Sequence, residues 1–350
     1  MLIHLLITTI LSFTLIKLLI KYSHSLGLVD IPNERSSHCS IIPRGAGVGF
    51  VTAMMLGIGI YDMAMLMQYW YVFASIAMVF GIGVLDDIYD TPPKAKFLVM
   101  FVAVFLLWGY GIIIDSLGVW FGFDIGLMWF ALPFTMFALA GFTNALNLID
   151  GLDGLAGSVS VVIVGFFGYI GYVYSNDLML ALSLFTIASL LGFLVLNYNP
   201  AKVFMGDSGS LSLGFIVSIL AVLSIEYIHP IVVLYIAAVP ILDTLIVMIR
   251  RIRRGRSPFS PDKTHIHHIL VRAIGNKDEE GKLINGTKRT VWFLVLLQVM
   301  FSGIGILMHN SILNIGDHSF MPLIALIGFG VLFLVFYIVF TSMKKKQGIN

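Results

Sequence analysis

The stretch 178–197, LMLALSLFTIASLLGFLVLN, runs for twenty residues without a charged side chain. That is about the length an α-helix needs to cross the ~30 Å hydrocarbon core of a bilayer. A surface helix of a soluble protein would instead set a charged face against an apolar one. Working outward, comparable stretches recur near 1–20, 45–62, 68–85, 96–115, 127–146, 157–175, 209–226, 229–250, 289–308 and 320–341. The chain is therefore predicted to be an all-α, polytopic integral membrane protein with about eleven transmembrane helices, each boundary placed to within roughly four residues. Composition agrees. Of 350 residues, 59% are hydrophobic and 11% charged, too few to coat a soluble domain of this size.

Charge placement orients the spans. The even-numbered connections contain no Lys or Arg, although they hold Asp62, Asp115, Asp177, Glu226 and Asp317, read as solvated turn residues. All 21 Lys and Arg fall on the other side, where the connections are also longer. The positive-inside rule makes that side the cytoplasm, which puts the N-terminus outside and the C-terminus inside. The first apolar stretch has its lysines, Lys17 and Lys21, near and after its end, so it reads as a retained span and not a cleaved signal. A lone cysteine, Cys39, excludes a disulfide within the chain.

Four cytoplasmic connections carry residues that topology alone does not require. Gly83-Val-Leu-Asp86-Asp87-Ile-Tyr-Asp90 closes the third span. A continuing helix would put Asp86 and Asp90 on one face, with Asp87 beside them. Three like charges at a low-dielectric boundary repel and oppose the helix dipole, so a divalent metal, or Lys94 and Lys96, should compensate them. In Asn144-Ala-Leu-Asn147-Leu-Ile-Asp150-Gly-Leu-Asp153-Gly-Leu-Ala-Gly157, Asn147, Asp150 and Asp153 recur every three residues, a helical stripe with glycines that let a ligand approach. Val203-Phe204-Met205-Gly206-Asp207-Ser208-Gly209-Ser210 leads into the eighth span, where free N–H groups suit phosphate and Asp207 suits a metal. The basic connection after Arg250 ends in Thr264-His265-Ile-His267-His268. Its arginines enforce topology, and its histidines can donate to a pyrophosphate near neutral pH. Two lesser candidates are Asp243, an acid inside an apolar stretch, and His38 with Pro43-Arg44-Gly45-Ala46-Gly47.

Carboxylates for a hard cation, cationic groups for phosphates and backbone N–H donors are the parts that phosphoryl transfer uses. Their place at a membrane face suits one water-soluble and one lipid substrate. No Walker A sequence or kinase glycine loop is present, so ATP as donor is unsupported.

Taken together, these motifs resemble the polyprenyl-phosphate N-acetylhexosamine-1-phosphate transferases of glycosyltransferase family 4, nearly end to end. The matches are Asp86-Asp87-x-x-Asp90, NLIDGLDGLAG at 147–157, FMGDSGSL at 204–211 and SPDKTHIHH at 260–268. The resemblance implies transfer of a sugar phosphate from a UDP-sugar to undecaprenyl phosphate with release of UMP, in a bacterial inner (plasma) membrane. It implies Mg2+ (or Mn2+) held by Asp207, and Asp86 and Asp87 at the lipid phosphate, with Asp87 as base. Asp90, Asp150, His265, His267 and His268 complete the expected catalytic set. Arg44, Lys94, Asn147, Asp153 and Phe204 are expected to bind substrate, Phe204 by stacking on uracil. The cytoplasmic segments 21–44, 86–96, 147–157, 198–208 and 251–288 should form one active site within a single transmembrane domain, 1–350. The His-Ile-His-His spelling looks more like the branch using UDP-GlcNAc than the phospho-MurNAc-pentapeptide transferases. No nucleic-acid partner is expected, and a homodimer is compatible with the sequence.

Two rival readings fit less well. A nucleotide-sugar transporter would set its charges near the bilayer midplane in broken helices and often show inverted repeats. A CDP-alcohol phosphotransferase should carry Arg after the Ala of its Asp-Gly-x-x-Ala run, where this chain has Gly157.

Overall fold

The computed structural model describes residues 1–32, 41–255, 257, 265–277, 283–315 and 320–347, with the backbone alone at 276–277, 283–284 and 311–315. His38 and the part of the histidine motif at 260–264 lie outside the described residues. The chain packs as two compact units.

The first unit, Met1–Asp115 with Met128–Ser224, is built from helices. They are α1 (Leu2–Leu26), α2 (Gly47–Tyr61), α3 (Met63–Gln68), α4 (Trp70–Tyr89), α5 (Pro93–Trp108), α6 (Ala131–Ile149), α7 (Leu155–Val173), α8 (Asp177–Asn197) and α9 (Gly206–Ser224). Between α1 and α2, strands β1 (Val29–Asp30) and β2 (Ile42–Pro43) pair antiparallel. Helix α9 is the core of this unit: every side chain from Ser208 to Leu220 is buried, with α2, α4, α6 and α7 packed against it. An apolar helix with no polar face has no side to offer water, and here it offers little to lipid either. Helix α1 instead leaves Leu2, Ile3, Leu6 and Ile10 exposed, as a lipid-facing helix does.

The second unit, Ser116–Leu127 with Ile225–Asn350, holds α10 (Pro230–Ile236), α11 (Ala238–Arg253), α12 (Ile266–Ile274), α13 (Gly286–Ile315) and α14 (Met321–Lys346). Strands β3 (Ser116–Trp120) and β4 (Phe123–Gly126) form one hairpin, and β5 (Asn276–Lys277) pairs with β6 (Leu283–Ile284). The stretch expected as a ninth span is bent by 88° between α10 and α11. Pro240 explains the break, because it has no N–H to give to the Ile236 carbonyl. Gln298 of α13 repairs it: its Nε2 donates to Ile236 O at 2.7 Å and its Oε1 accepts from Val239 N at 3.0 Å. Inside a bilayer such a substitute donor is needed, since no water is there to satisfy a freed backbone group.

Each of the expected apolar stretches falls on a helix. Among the described residues, eight helices are long and apolar enough to cross a membrane, and nine if the bent pair counts as one span. The two others, α2 with 15 residues and α5 with 16, extend about 22 and 24 Å at ~1.5 Å per residue, short of a full hydrocarbon core. Three local features depart from the sequence reading. The fourth stretch stops being helical at Trp108, the 116–126 connection is a β-hairpin, and α3 adds a short helix whose N-terminus is capped by Asp62, which accepts from Met65 N. The architecture is that of an all-α, multi-pass membrane protein.

Candidate active site

The acids of the first unit converge on the first turn of α9. Helix α4 delivers Asp86 and Asp87 on its last turn, both buried. One turn earlier, Gly83 lies against α9: a Cβ there would come within 2.6 Å of the Asp207 carbonyl oxygen. The two helix ends meet because residue 83 has no side chain. Asp87 then accepts from the N–H of Asp207 at 2.8 Å and from that of Ser208 at 3.0 Å. It thus satisfies two of the N–H groups a helix start leaves unpaired, with its charge at the positive end of the dipole. Gly206, at φ +71°, sits so close that a Cβ would lie 2.6 Å from both Asp87 oxygens. Only glycine serves there.

Asp86 faces the other way. Its Oδ1 accepts from Thr91 N at 2.8 Å and Thr91 Oγ1 at 2.7 Å, and its Oδ2 from Lys96 Nζ at 2.8 Å. The same ammonium donates to Asp207 Oδ2 at 2.6 Å. Asn147, near the end of α6, donates to Asp207 Oδ1 at 3.0 Å and to Ser210 Oγ at 2.8 Å. Four separate segments therefore meet at Asp207: the α4 end, the α5 start, the α6 end and α9 itself.

Asp150 is the first residue beyond α6 and half-buried. Its carboxylate has no hydrogen-bond or ion-pair partner among the described residues. Burial, and then the negative charges of Asp207, Asp87 and Asp153, hold its pKa well above the usual carboxylate range. The turn 43–47 pairs its backbone with 204–205, through Phe204 N to Pro43 O at 2.8 Å and Ala46 N to Phe204 O at 3.1 Å. This places Arg44 within electrostatic range of Asp87 and leaves Phe204 half-buried.

Several expectations need correction. Asp90 does not share a face with Asp86. The helix ends at Tyr89, and Asp90 is exposed in a left-handed conformation at φ 55°. The Asn147-Asp150-Asp153 stripe is not helical either, because α6 stops at Ile149 and Gly154, at φ +77°, starts α7. Asp153 is turned to a structural contact, its Oδ2 accepting from Asn199 Nδ2 at 2.8 Å and Ala201 N at 3.0 Å. Lys94 is exposed, and Lys96, two residues on, bridges the acids instead. Thr91 and Ser210 also join the cluster and were not singled out. Ser210 could have been, as it follows Asp207 by three residues on one helix.

In the second unit, α11 and α12 carry a different arrangement. Asp243 is 1% exposed, and its Oδ2 lies 2.7 Å from His265 Nδ1 while its Oδ1 accepts from Ile266 N at 2.6 Å. Its side-chain partner is His265. His267 is 1% exposed, and neither ring nitrogen has a hydrogen-bond partner among the described residues. Its pKa is lowered to about 3, by burial first, against the pull of Asp243 and with His268 and His265 adding repulsion. It stays neutral in the core of its unit. His268 is half-buried, its ring 4.2 Å from that of His267.

Among the described residues, no group of three His, Cys, Asp or Glu forms a ready metal cage. The oxygen set at Asp207 still fits magnesium chemically. Mg2+ typically takes only one or two protein carboxylates and completes its shell with water and substrate phosphates. The Lys96 ammonium between Asp86 and Asp207 marks a place where two carboxylates share positive charge.

Residues 69–225, which include α4 and the whole acid cluster apart from Arg44, match glycosyl transferase family 4. The chain is 36% identical over 256 residues to the Bacillus subtilis protein named "Probable undecaprenyl-phosphate N-acetylglucosaminyl 1-phosphate transferase", covering 70% of each chain. It is 32% identical over 264 residues to the Escherichia coli K12 undecaprenyl-phosphate alpha-N-acetylglucosaminyl 1-phosphate transferase, covering 72% of this chain and 71% of that one. To the Yersinia pestis protein of the same name it is 34% identical, with 72% of each covered. With that degree of likeness across the spans and the acid cluster, this chain belongs to glycosyl transferase family 4.

Proposed function

We propose that this protein transfers N-acetylglucosamine 1-phosphate from UDP-N-acetylglucosamine to undecaprenyl phosphate, releasing UMP, at the cytoplasmic face of a bacterial inner membrane. The product would start a lipid-linked cell-envelope polysaccharide. The observation that carries the reading is the meeting of Asp86, Lys96, Asn147 and Asp207, from four segments, in a chain whose relatives are named for this reaction. Those names favour the N-acetylglucosamine branch over a phospho-MurNAc-pentapeptide transferase, and nothing in them suggests a transporter.

In the reaction, an oxygen of the lipid phosphate bonds to the sugar-bearing phosphorus. The bond from that phosphorus to the bridging oxygen breaks, and the bridging oxygen leaves with UMP. Direct attack needs no covalent enzyme intermediate. Asp207, Asp86 and the Asn147 carbonyl would hold Mg2+, which supplies neutralisation of the pyrophosphate as charge builds on the departing UMP. Lys96 holds Asp86 and Asp207 together and contributes a second positive charge beside the phosphates.

The acceptor's proton goes to Asp150 in this reading, not to Asp87. Both Asp87 oxygens already serve the α9 backbone, whereas Asp150 has a free carboxylate and a raised pKa, as a general base working near neutrality requires. His265, oriented by Asp243, and His268 are assigned to the pyrophosphate or sugar, with Arg44 and Phe204 at the nucleotide. That the two units act as one transferase domain, with eleven spans and the N-terminus outside, is part of the same proposal.

Purified protein incubated with undecaprenyl phosphate and a panel of UDP-sugars tests it through UMP release. Release with UDP-N-acetylglucosamine that needs both the lipid and Mg2+ supports the reading. Release only with UDP-MurNAc-pentapeptide, or none with any sugar, refutes it.

A further inference from the structure

The second unit carries a groove of about 480 Å³ along the start of α13, remote in sequence from every candidate site residue of the first unit. Its wall comes from Ile274 at the end of α12 and from Lys288, Arg289, Trp292, Phe293 and Leu296. The α13 residues stand at i, i+1, i+4, i+5 and i+8, so they line one face of the helix in order. Two cations occupy the first turn. The apolar side chains follow, and the whole row from Lys288 to Leu296 runs about 12 Å down the axis. None of the lining residues is acidic.

This order has a direction. Helix α13 is long and apolar enough to cross a membrane from Gly286 to Asn310. Its first turn thus lies at the polar boundary, and Trp292, Phe293 and Leu296, all exposed in the chain alone, lie toward the hydrocarbon. The N-terminal end of the helix dipole adds to the positive charge of Lys288 and Arg289 at the groove's mouth. A molecule that satisfies this surface must carry an anionic head and an apolar tail in line.

We propose that this groove binds an anionic glycerophospholipid of the inner leaflet, its phosphodiester on Lys288 and Arg289 and one acyl chain along Trp292, Phe293 and Leu296. Two cations close to a membrane surface correspond to a preference of roughly thirtyfold over a zwitterionic lipid. This proposal does not rest on the transferase reading.

The test uses the full chain with Trp70, Trp108, Trp120 and Trp129 replaced by Phe, so that Trp292 is the sole indole. It is reconstituted in phosphatidylcholine bilayers doped with a minor fraction of brominated phosphatidylglycerol or brominated phosphatidylcholine. Trp292 fluorescence should be quenched far more by the brominated phosphatidylglycerol, and K288Q/R289Q should bring the two lipids level. Equal quenching in the starting protein overturns the proposal, as does selectivity that survives K288Q/R289Q. Relief of quenching by stoichiometric undecaprenyl phosphate also overturns it, since the groove would then belong to the acceptor. Should the four-Phe protein not fold, native mass spectrometry of the unaltered chain and of K288Q/R289Q, titrated with the two unbrominated lipids, gives the same decision. The expected loss is about tenfold or more in phosphatidylglycerol affinity, with phosphatidylcholine unchanged.

Discussion

The acid cluster of the first unit and the Asp243-His265 pair of the second solve one problem in two ways. In each, a buried carboxylate on one helix takes the free N–H of the start of another: Asp87 takes Asp207 and Ser208, and Asp243 takes Ile266. The remaining charge is then handled differently. Asp243 spends its second oxygen on an imidazole, which makes a closed pair. The first unit leaves Asp86 and Asp207 sharing one lysine, with Asp150 unpaired beside them. Among the described residues, the carboxylates there outnumber the cationic side chains that reach them, Lys96 and Arg44. A carboxylate whose contacts are complete, like Asp243, positions its partner, and a cluster left short of cations reads as a binding site.

The sharpest break in that contrast is D207N. Removing the central carboxylate should lower UMP release on the order of 10³-fold while the thermal transition stays near that of the parent. A large loss of stability with activity per folded molecule retained would make Asp207 a structural group only. Next is K96Q, which leaves Asp86 and Asp207 facing each other without their bridge. Turnover should fall about 100-fold, partly restored by raised Mg2+, and restoration would be absent if Lys96 acted only by touching substrate.

D87A should act mainly on stability. Two N–H groups of α9 lose their acceptor, a cost of about 2–4 kcal/mol, seen as a lowered unfolding midpoint. A D87A protein with parental stability and no activity would return the base assignment to Asp87.

Asp150 gives a test with a definite sign in pH. Its folded pKa is raised, so the folded state binds the proton more tightly than the unfolded chain does. Stability from this group is full below the unfolded pKa and declines as pH rises toward the folded one, staying low above it. In EDTA at neutral pH, D150N should therefore melt higher than the parent, and the gap should close as pH falls toward about 4. The same variant should be slower in UMP release. The smallest effect belongs to D153N: its contacts lie at 199–201, so turnover should change by no more than about threefold.

Much of this was legible from the chain. Apolar runs located the helices, because a bilayer leaves so few alternatives for the backbone. Three of the four motifs named most of the side chains that meet at Asp207. Spacing failed where the backbone left the helix: three-residue periodicity implied a stripe, but the glycines at 151 and 154 end it, leaving Asp150 free and Asp153 committed elsewhere. Lys94 and Lys96 point to different sides of α5, and nothing local to them says which side meets Asp86. The 116–126 connection carries strand propensity in Val119, Trp120 and Phe123, but so short a run between apolar stretches does not by itself announce a hairpin. Pro240 was visible, but its replacement donor, Gln298, lies 58 residues away in sequence. Such pairings exist only in three dimensions.

The central claim is that Asp207, with Asp86 and Asn147 beside it, would hold one divalent cation. Mn2+ titration of EDTA-stripped protein, followed by electron paramagnetic resonance in the presence of UDP-N-acetylglucosamine, measures it directly. One ion per chain, weakened tenfold or more by D207N and little by D153N, is the predicted outcome. Mn2+ affinity unchanged in D207N would contradict the account.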